Sequence, residues 1–215
     1  MVFYYIVRHG ETDSNKIVAI MGQKQVGLNE VGLQQAFVVG KHLSQRPFKH
    51  VFCSDLERTK QTAEQIKKSL GDVPTTYTRK LRERSFGNLE GQLYKDVRHL
   101  FLNEDGSYNT NFAPGGSGES VEEFSRRVGE ALKQIRTHER WETTDNVLVV
   151  THGGTIRYLM AKFFLPDTSN TMHFPMDVFN TSITVVEELN DPFVPFRLVM
   201  ANHTCHRQEK IEDLI

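Results

Sequence analysis

The chain has 215 residues, 38% of them hydrophobic and 25% charged, with a formal net charge of −1. That balance suits one soluble α/β domain with insertions and excludes a broadly electropositive nucleic-acid binder, while leaving room for a small basic pocket. No apolar run approaches the roughly 18 residues of a transmembrane helix, and Cys53 and Cys205 match no metal or redox spacing, so the expectation is a cytoplasmic protein with no membrane partner.

The first apolar run, Phe3 to Val7, ends abruptly in Arg8-His9-Gly10-Glu11-Thr12. A short run that is apolar throughout and bounded by a turn signal reads as a strand covered on both faces, as in a parallel sheet. Glu11 to Gly27 is polar and punctuated by glycine, so it reads as a loop over the sheet edge. Asn29 is placed to cap a helix carrying Ala36, Val39 and Leu43 on one face, ended by Arg46-Pro47. Val51-Phe52-Cys53 is a second strand. Ser54 and Glu57 have capping-box spacing, and the helix they would open has a stripe of Leu56, Thr59, Ala63, Ile66 and Leu70. Arg58 falls in its opening turn, where the helix dipole disfavours a cation by roughly 0.3–1 kcal/mol. Solvation at the surface is the ordinary fate of such an arginine. A helix starting directly from a strand end can instead turn Arg58 toward the edge that holds His9, where an anion would offset the cost.

Thr75 to Leu81 reads as an edge-like strand leading into Arg82-Glu83-Arg84-Ser85-Phe86-Gly87. From there to Gly118 the chain is loop-rich, with one short helix expected around Tyr94 to Leu102. A long irregular segment of this kind reads as a lid or binding loop, or else as disordered. Ser120 and Glu123 form another capping box, followed by the helical stripe Val121, Phe124, Val128, Leu132 and Ile135. Arg126 and Arg127 are expected on the solvated side of that helix. Val147 to Thr151 then repeats the opening pattern, an apolar strand running into His152-Gly153-Gly154. A helix marked by Ile156, Leu159, Met160, Phe163 and Phe164 follows, with Pro166 as its stop. Ser182 to Val186 and Phe196 to Met200 read as two last strands, antiparallel at a sheet edge, and the charged tail beyond Arg207 as loose. The expected fold is α/β: three layers, α/β/α, with a mostly parallel sheet and an antiparallel edge strand.

In such sheets ligands bind outside the carboxyl ends of the strands, so His9 and His152 are expected at one edge. The glycine after each lets the backbone turn sharply and a ligand come close. Arg8, Arg58 and His152 then give three potential cations around the His9 imidazole. A divalent metal is the rival reading of a histidine pair, but arginines would repel it and no carboxylate or cysteine stands at ligand spacing. Cations around a nucleophile suit a phosphoryl group, whose charge must be neutralised before it can be attacked. His203-Thr204-Cys205-His206 is a second candidate metal cluster, although ligands so close together near a tail are usually incidental.

Arg8-His9-Gly10-Glu11-Thr12, Ser54-Asp55-Leu56 with Arg58-Thr59, Leu81-Arg82-Glu83-Arg84 with Gly87 and Glu90-Gly91, and Thr151-His152-Gly153-Gly154 together resemble the histidine phosphatase superfamily, the phosphoglycerate-mutase-like group. The motifs stand in family order from Val7 to about Val186. The resemblance implies one domain over 1–215 with a loop-rich cap at about 88–118, and neither cofactor nor metal. It makes His9 the nucleophile, forming a phosphohistidine that water hydrolyses. The other His9 N–H then needs an acceptor, for which a backbone carbonyl is expected. Arg8, Arg58 and His152 would bind the phosphoryl oxygens, while Asn15, Gln23, Arg84 and the Gly153 N–H would add substrate contacts. Glu83 would protonate the leaving oxygen and later activate water. Its neighbours Arg82 and Arg84 favour the carboxylate form, but in an extended segment both point away from it.

The mutase branch holds its substrate with a lysine where this chain has Tyr94, and with an arginine pair that Gly106 to Gly118 lacks. These departures favour water as acceptor, hence the small phosphatases, among them fructose-2,6-bisphosphatase-like and broad-specificity members. The expected partner is a small-molecule phosphate ester, sugar (bis)phosphates included, with self-association left open. Two alternatives stand beside this one. The first is a 2,3-bisphosphoglycerate-dependent phosphoglycerate mutase; the second is a non-catalytic phospho-ligand-binding member, which usually lacks a catalytic residue. Specificity is expected to reside in 91–118 and 172–180. Lys95, Arg98 and His99 read either as contacts to a second anionic group or as an exposed helix face.

Overall fold

The computed structural model describes residues 1–107, 109, 112, 114–138, 141–142, 144–164, 176–191, 193–204 and 206. In chain order the elements are β1 (Val2–Arg8), α1 (Asp13–Lys16), α2 (Glu30–Leu43), β2 (His50–Ser54), α3 (Glu57–Leu70), β3 (Thr75–Thr78), α4 (Tyr94–Val97), α5 (Val121–Arg136), β4 (Asn146–Thr151), α6 (Gly153–Leu159), β5 (Ile183–Glu188) and β6 (Phe196–His203).

The six strands form one sheet in the order β3-β2-β4-β1-β5-β6. β1 pairs parallel with β4, Val7 opposite Val150 and Arg8 opposite Thr151, and β2 lies parallel to both β4 and β3. β5 and β6 complete the sheet antiparallel. The parallel register decides where function sits: the carboxyl ends of β1, β4 and β2 lie side by side, so the residues after them share one edge.

Side chains alternate across the pleat, and β1 is apolar on both faces. Tyr4 and Ile6 join Phe52, Val147 and Val149 against Phe124, Val128 and Ile156 of α5 and α6. Val7 joins Val51, Cys53 and Val150 against Val39, Leu43, Ala63 and Ile66 of α2 and α3. This is the three-layer α/β/α arrangement that the continuous apolar strands imply. A third, smaller core of Ile20, Leu89, Val97 and Phe101 holds the cap segment together.

Several boundaries differ from expectation, each for a local reason. The Ser54–Glu57 capping box does not form. β2 runs through Ser54, whose hydroxyl bonds the His152 ring, and the Glu57 N–H is accepted instead by Gln25 Oε1 at 3.0 Å. The Asn29 cap and the Ser120–Glu123 capping box are both present. The third strand stops at Thr78, where the side chain caps a 3₁₀ turn over Arg79–Leu81. In the cap, the expected helix is one α turn, Tyr94–Val97, continued by a 3₁₀ turn to Phe101. α6 passes into a π turn over Met160–Phe164, and its expected stop, Pro166, lies outside the described residues, as do Cys205 and the tail from 207. β6 extends past Met200 to His203. Among the described residues no helix is long and apolar enough to cross a membrane.

Candidate active site

β1 delivers Arg8 and His9 to the sheet edge; β4 delivers His152. The His9 ring is 1% exposed, and its Nδ1 stands 2.7 Å from Gly10 O. A carbonyl can only accept, so Nδ1 carries the proton and Nε2 keeps its lone pair. The backbone acceptor expected for this ring is therefore in place. Gly10 N–H donates to Thr62 Oγ1 at 3.0 Å, and Asn180 Nδ2 donates to His9 O at 2.9 Å, which anchors the turn to α3 and to the segment before β5. The His152 ring lies 5.3 Å from that of His9, centroid to centroid, with its Nε2 bonded to Ser54 Oγ at 2.8 Å.

Arg58, at the second residue of α3, is fully buried. Its Nη2 donates to Gly22 O at 2.8 Å and its Nη1 to Lys24 O at 3.0 Å, so the guanidinium faces the sheet edge and not solvent. Arg58 Nε and His152 Nδ1 are buried without a hydrogen-bond partner among the described residues. Buried polar groups without partners are rare in folded proteins and call for an explanation. Here both belong to a cluster of cationic or potentially cationic groups, and the species that would satisfy them is an anion.

The electrostatics agree. Burial, then the charges of Arg58 and Arg8, hold the His9 imidazole well below its ordinary titration range. Burial, Arg58 and His9 do the same to His152. Burial also lowers Arg58 itself to about 10, with Glu83 opposing and Arg8 reinforcing the shift. Since the folded pKa of each histidine is depressed, the unfolded chain takes up protons that the native state refuses as pH falls below about 6.5. Stability is therefore expected to decline in that window by about 1.4 kcal/mol per pH unit for each histidine, about 2.7 for both. Urea midpoints taken above and below it check this; a flat profile would show that the rings are not held neutral.

Glu83 stands opposite. Its Oε2 accepts from the Gly154 N–H at 2.8 Å and its Oε1 from the Arg84 N–H at 3.0 Å. A Cβ on Gly154 would lie 2.4 Å from Oε1, so only glycine allows this approach. The two flanking arginines turn away, as an extended segment requires. Arg82 pairs with both Asp55 oxygens at 2.6 Å. Arg84, nearly buried, donates through Nε to Glu119 O at 2.8 Å and through Nη2 to Phe112 O.

Arg8, His9, Asn15, Arg58, Glu83, Arg84 and Gly153 line one cavity of about 930 Å³, which is thus where most of the residues singled out in the sequence meet. His152, fully buried, is not in its lining, and neither is Gln23. Gln23 Nε2 donates to Glu83 O at 3.2 Å and its Oε1 accepts from Arg82, so it supports the segment that carries Glu83. Lys95, Arg98 and His99 are exposed and outside the lining; Phe86, Tyr94 and Phe101 form the cap side instead. The wall also includes Arg157, which sequence reasoning passed over although it follows His152 by five residues on α6. Within 172–180, Met176, Asp177 and Asn180 reach the cavity, while 172–175 lie outside the described residues. Arg127 was expected at a solvated surface and is instead half-buried against Glu119. The rings of His42, His203 and His206 stand 5.6 to 6.4 Å apart, yet no group of three possible metal ligands is assembled among the described residues.

The family model described as Histidine phosphatase superfamily (branch 1) matches residues 4–198. The broad-specificity phosphatase YOR283W of Saccharomyces cerevisiae is 31% identical over 98% of this chain and 90% of its own length. The metal-independent phosphoserine phosphatase of Arabidopsis thaliana is 34% identical over 84% of this chain and 74% of its own. Among solved structures, a mycobacterial glucosyl-3-phosphoglycerate phosphatase superposes with a TM-score of 0.77 at 26% identity, over 94% of this chain and 99% of that one. The fold is phosphoglycerate-mutase-like, as the sequence motifs imply.

Proposed function

The chain belongs to the histidine phosphatase superfamily (branch 1), and from that premise we propose that it hydrolyses phosphomonoesters of small metabolites without a metal ion, through a phosphohistidine at His9. The observation that carries the reading is the state of His9: buried, neutral, with Nδ1–H committed to Gly10 O, and surrounded by Arg8, Arg58 and His152.

The steps balance as follows. His9 Nε2 donates its lone pair to phosphorus as the P–O bond to the leaving alcohol breaks. Protonated Glu83 gives its proton to the departing oxygen. A water then attacks the phosphorus of the phosphohistidine, Glu83 takes its proton, and the P–N bond breaks to return neutral His9 and inorganic phosphate. Arg8, Arg58 and the His152 Nδ1–H hold the phosphoryl oxygens, whose charge is greatest in the transition state. Asn15 and the Gly153 N–H, both at the cavity wall, contact the ester in this reading, and the segment 88–118 acts as the cap over it.

Water as acceptor is supported by Tyr94, which lines the cavity where the mutase branch has a lysine. The size of the cavity and the names of the relatives support a range of esters, sugar phosphates and phosphoserine among them. The test is turnover of p-nitrophenyl phosphate, fructose bisphosphates, phosphoserine and 3-phosphoglycerate in excess chelator, with product isomers assayed beside free phosphate. Chelator-resistant release of phosphate is expected. Isomerised glycerate without free phosphate would overturn the reading in favour of a mutase; no turnover of any ester would leave a binding protein.

A further inference from the structure

Arg127 uses its guanidinium in an unusual way for a residue on the polar side of an amphipathic helix. From α5 it reaches under the loop that carries Glu83. Nη1 is shared among the carbonyls of Arg79, Lys80 and Arg82 at 3.3, 3.0 and 2.9 Å, and Nη2 donates to Glu83 O at 3.1 Å. The other side of the fork, Nε and Nη2, grips the two oxygens of Glu119 at 2.6 and 2.7 Å. Glu119 in turn accepts the Ser85 N–H at 2.9 Å. The pair is mostly shielded, with side-chain exposures of 17% and 19%.

The consequence is geometric. The backbone of the acid loop is held at residue 82, at 83 and at 85, on both sides of the Glu83 carboxylate, which lines the same cavity as His9. A flexible carboxylate on a loop would spend binding energy on its own alignment. A planar, bidentate fork fixes several acceptors at once, which a lysine cannot do. We propose that Arg127, locked by Glu119, is a positioning residue for Glu83, and that it acts on proton donation to the leaving group and not on phosphate capture. The inference rests on Glu83 being the acid.

That distinction makes it testable. An alkyl alcohol leaves only when protonated, whereas p-nitrophenolate needs little help; kcat/KM reports the steps up to breakage of that bond. In Glu83→Gln, kcat/KM for an alkyl phosphate is expected to fall about 10³-fold and for p-nitrophenyl phosphate far less. Arg127→Gln should show the same selectivity at smaller amplitude, about 100-fold against about threefold, the scale of a misplacement near 1 Å. The double variant should lose no more than Glu83→Gln alone. Loss of a nearby positive charge would weaken both esters equally, so only the difference between them reports positioning. Arg126→Gln, on the exposed neighbour paired with Glu130, is the control expected to change neither ester. Arg127→Lys provides the same comparison should the glutamine variant fail to fold, and is expected to retain most of the selective defect. Equal losses on both esters, beside a selective loss in Glu83→Gln, would overturn the inference alone. No selective loss in Glu83→Gln would overturn the acid assignment and the inference with it.

Discussion

Replacing His9 with alanine is expected to lower kcat/KM by at least about 10⁴-fold, equivalent to about 5.5 kcal/mol of transition-state stabilisation. The loss should be larger than for any other single residue of the site, because among the described residues no other imidazole or thiol near the cavity has both a free lone pair and a fixed approach. His152 has its Nε2 engaged by Ser54, and Cys53 is buried in the sheet with its thiol pushed up by burial, so neither can substitute. The fold itself should tolerate the change. The His9 side chain contributes one local hydrogen bond, to Gly10. The measurement is rapid mixing with ³²P-labelled ester followed by an alkaline quench, which preserves a phosphohistidine. Wild type should retain protein-bound label and the variant none, at unchanged thermal midpoint. Label that persists in the variant would move the nucleophile elsewhere.

Much of this site was legible in the sequence because its parts hang from strand ends. An apolar run that stops at Arg8-His9-Gly10, and another that stops at His152-Gly153-Gly154, both read as strands covered on both faces, as in a parallel sheet. Parallel pairing of neighbouring strands then brings the two stops together. Arg58 was legible for a related reason, since a helix beginning three residues after a strand has little freedom in where its first turn points. Three residues resisted. Ser54 looked like a helix cap because its spacing to Glu57 fits, and nothing in the sequence reveals that its hydroxyl is taken by His152, 98 positions away. Arg127 fell on the polar side of a strong apolar stripe, and periodicity separates core from non-core without separating solvent from a buried loop. Gln23 fits the family position for substrate but bonds the backbone of Glu83 instead. In each case the deciding contact is a side chain meeting a distant loop, which is tertiary information that local pattern does not hold. The cap was hardest for the same reason. Its small core draws Ile20 from the loop after β1 and Leu89, Val97 and Phe101 from beyond β3, so no single segment shows its own periodicity.

Substitution of Arg58 by glutamine is expected to separate catalysis from stability. On the catalytic side, the proposed mechanism gives Arg58 and Arg8 the phosphoryl oxygens to hold, and loss of a cation stabilising phosphoryl transfer costs on the order of 10³-fold or more. On the stability side, Arg58 is fully buried, carries no ion pair among the described residues, and has its pKa lowered to about 10, chiefly by burial. A buried charge in that condition is a burden to the fold, and a neutral replacement of similar shape is often neutral or stabilising. The thermal midpoint of Arg58→Gln is therefore expected to equal or exceed that of wild type while kcat/KM collapses. A second readout ties the two together. Inorganic phosphate should raise the wild-type midpoint, because it binds the native state only, and it supplies the acceptor that Arg58 Nε and His152 Nδ1 lack. In Arg58→Gln that phosphate-dependent rise should shrink or vanish. A variant that melts well below wild type yet keeps activity within tenfold would mean that Arg58 is a structural residue, and that the cluster at the sheet edge is held together by its carbonyls and not built around an anion.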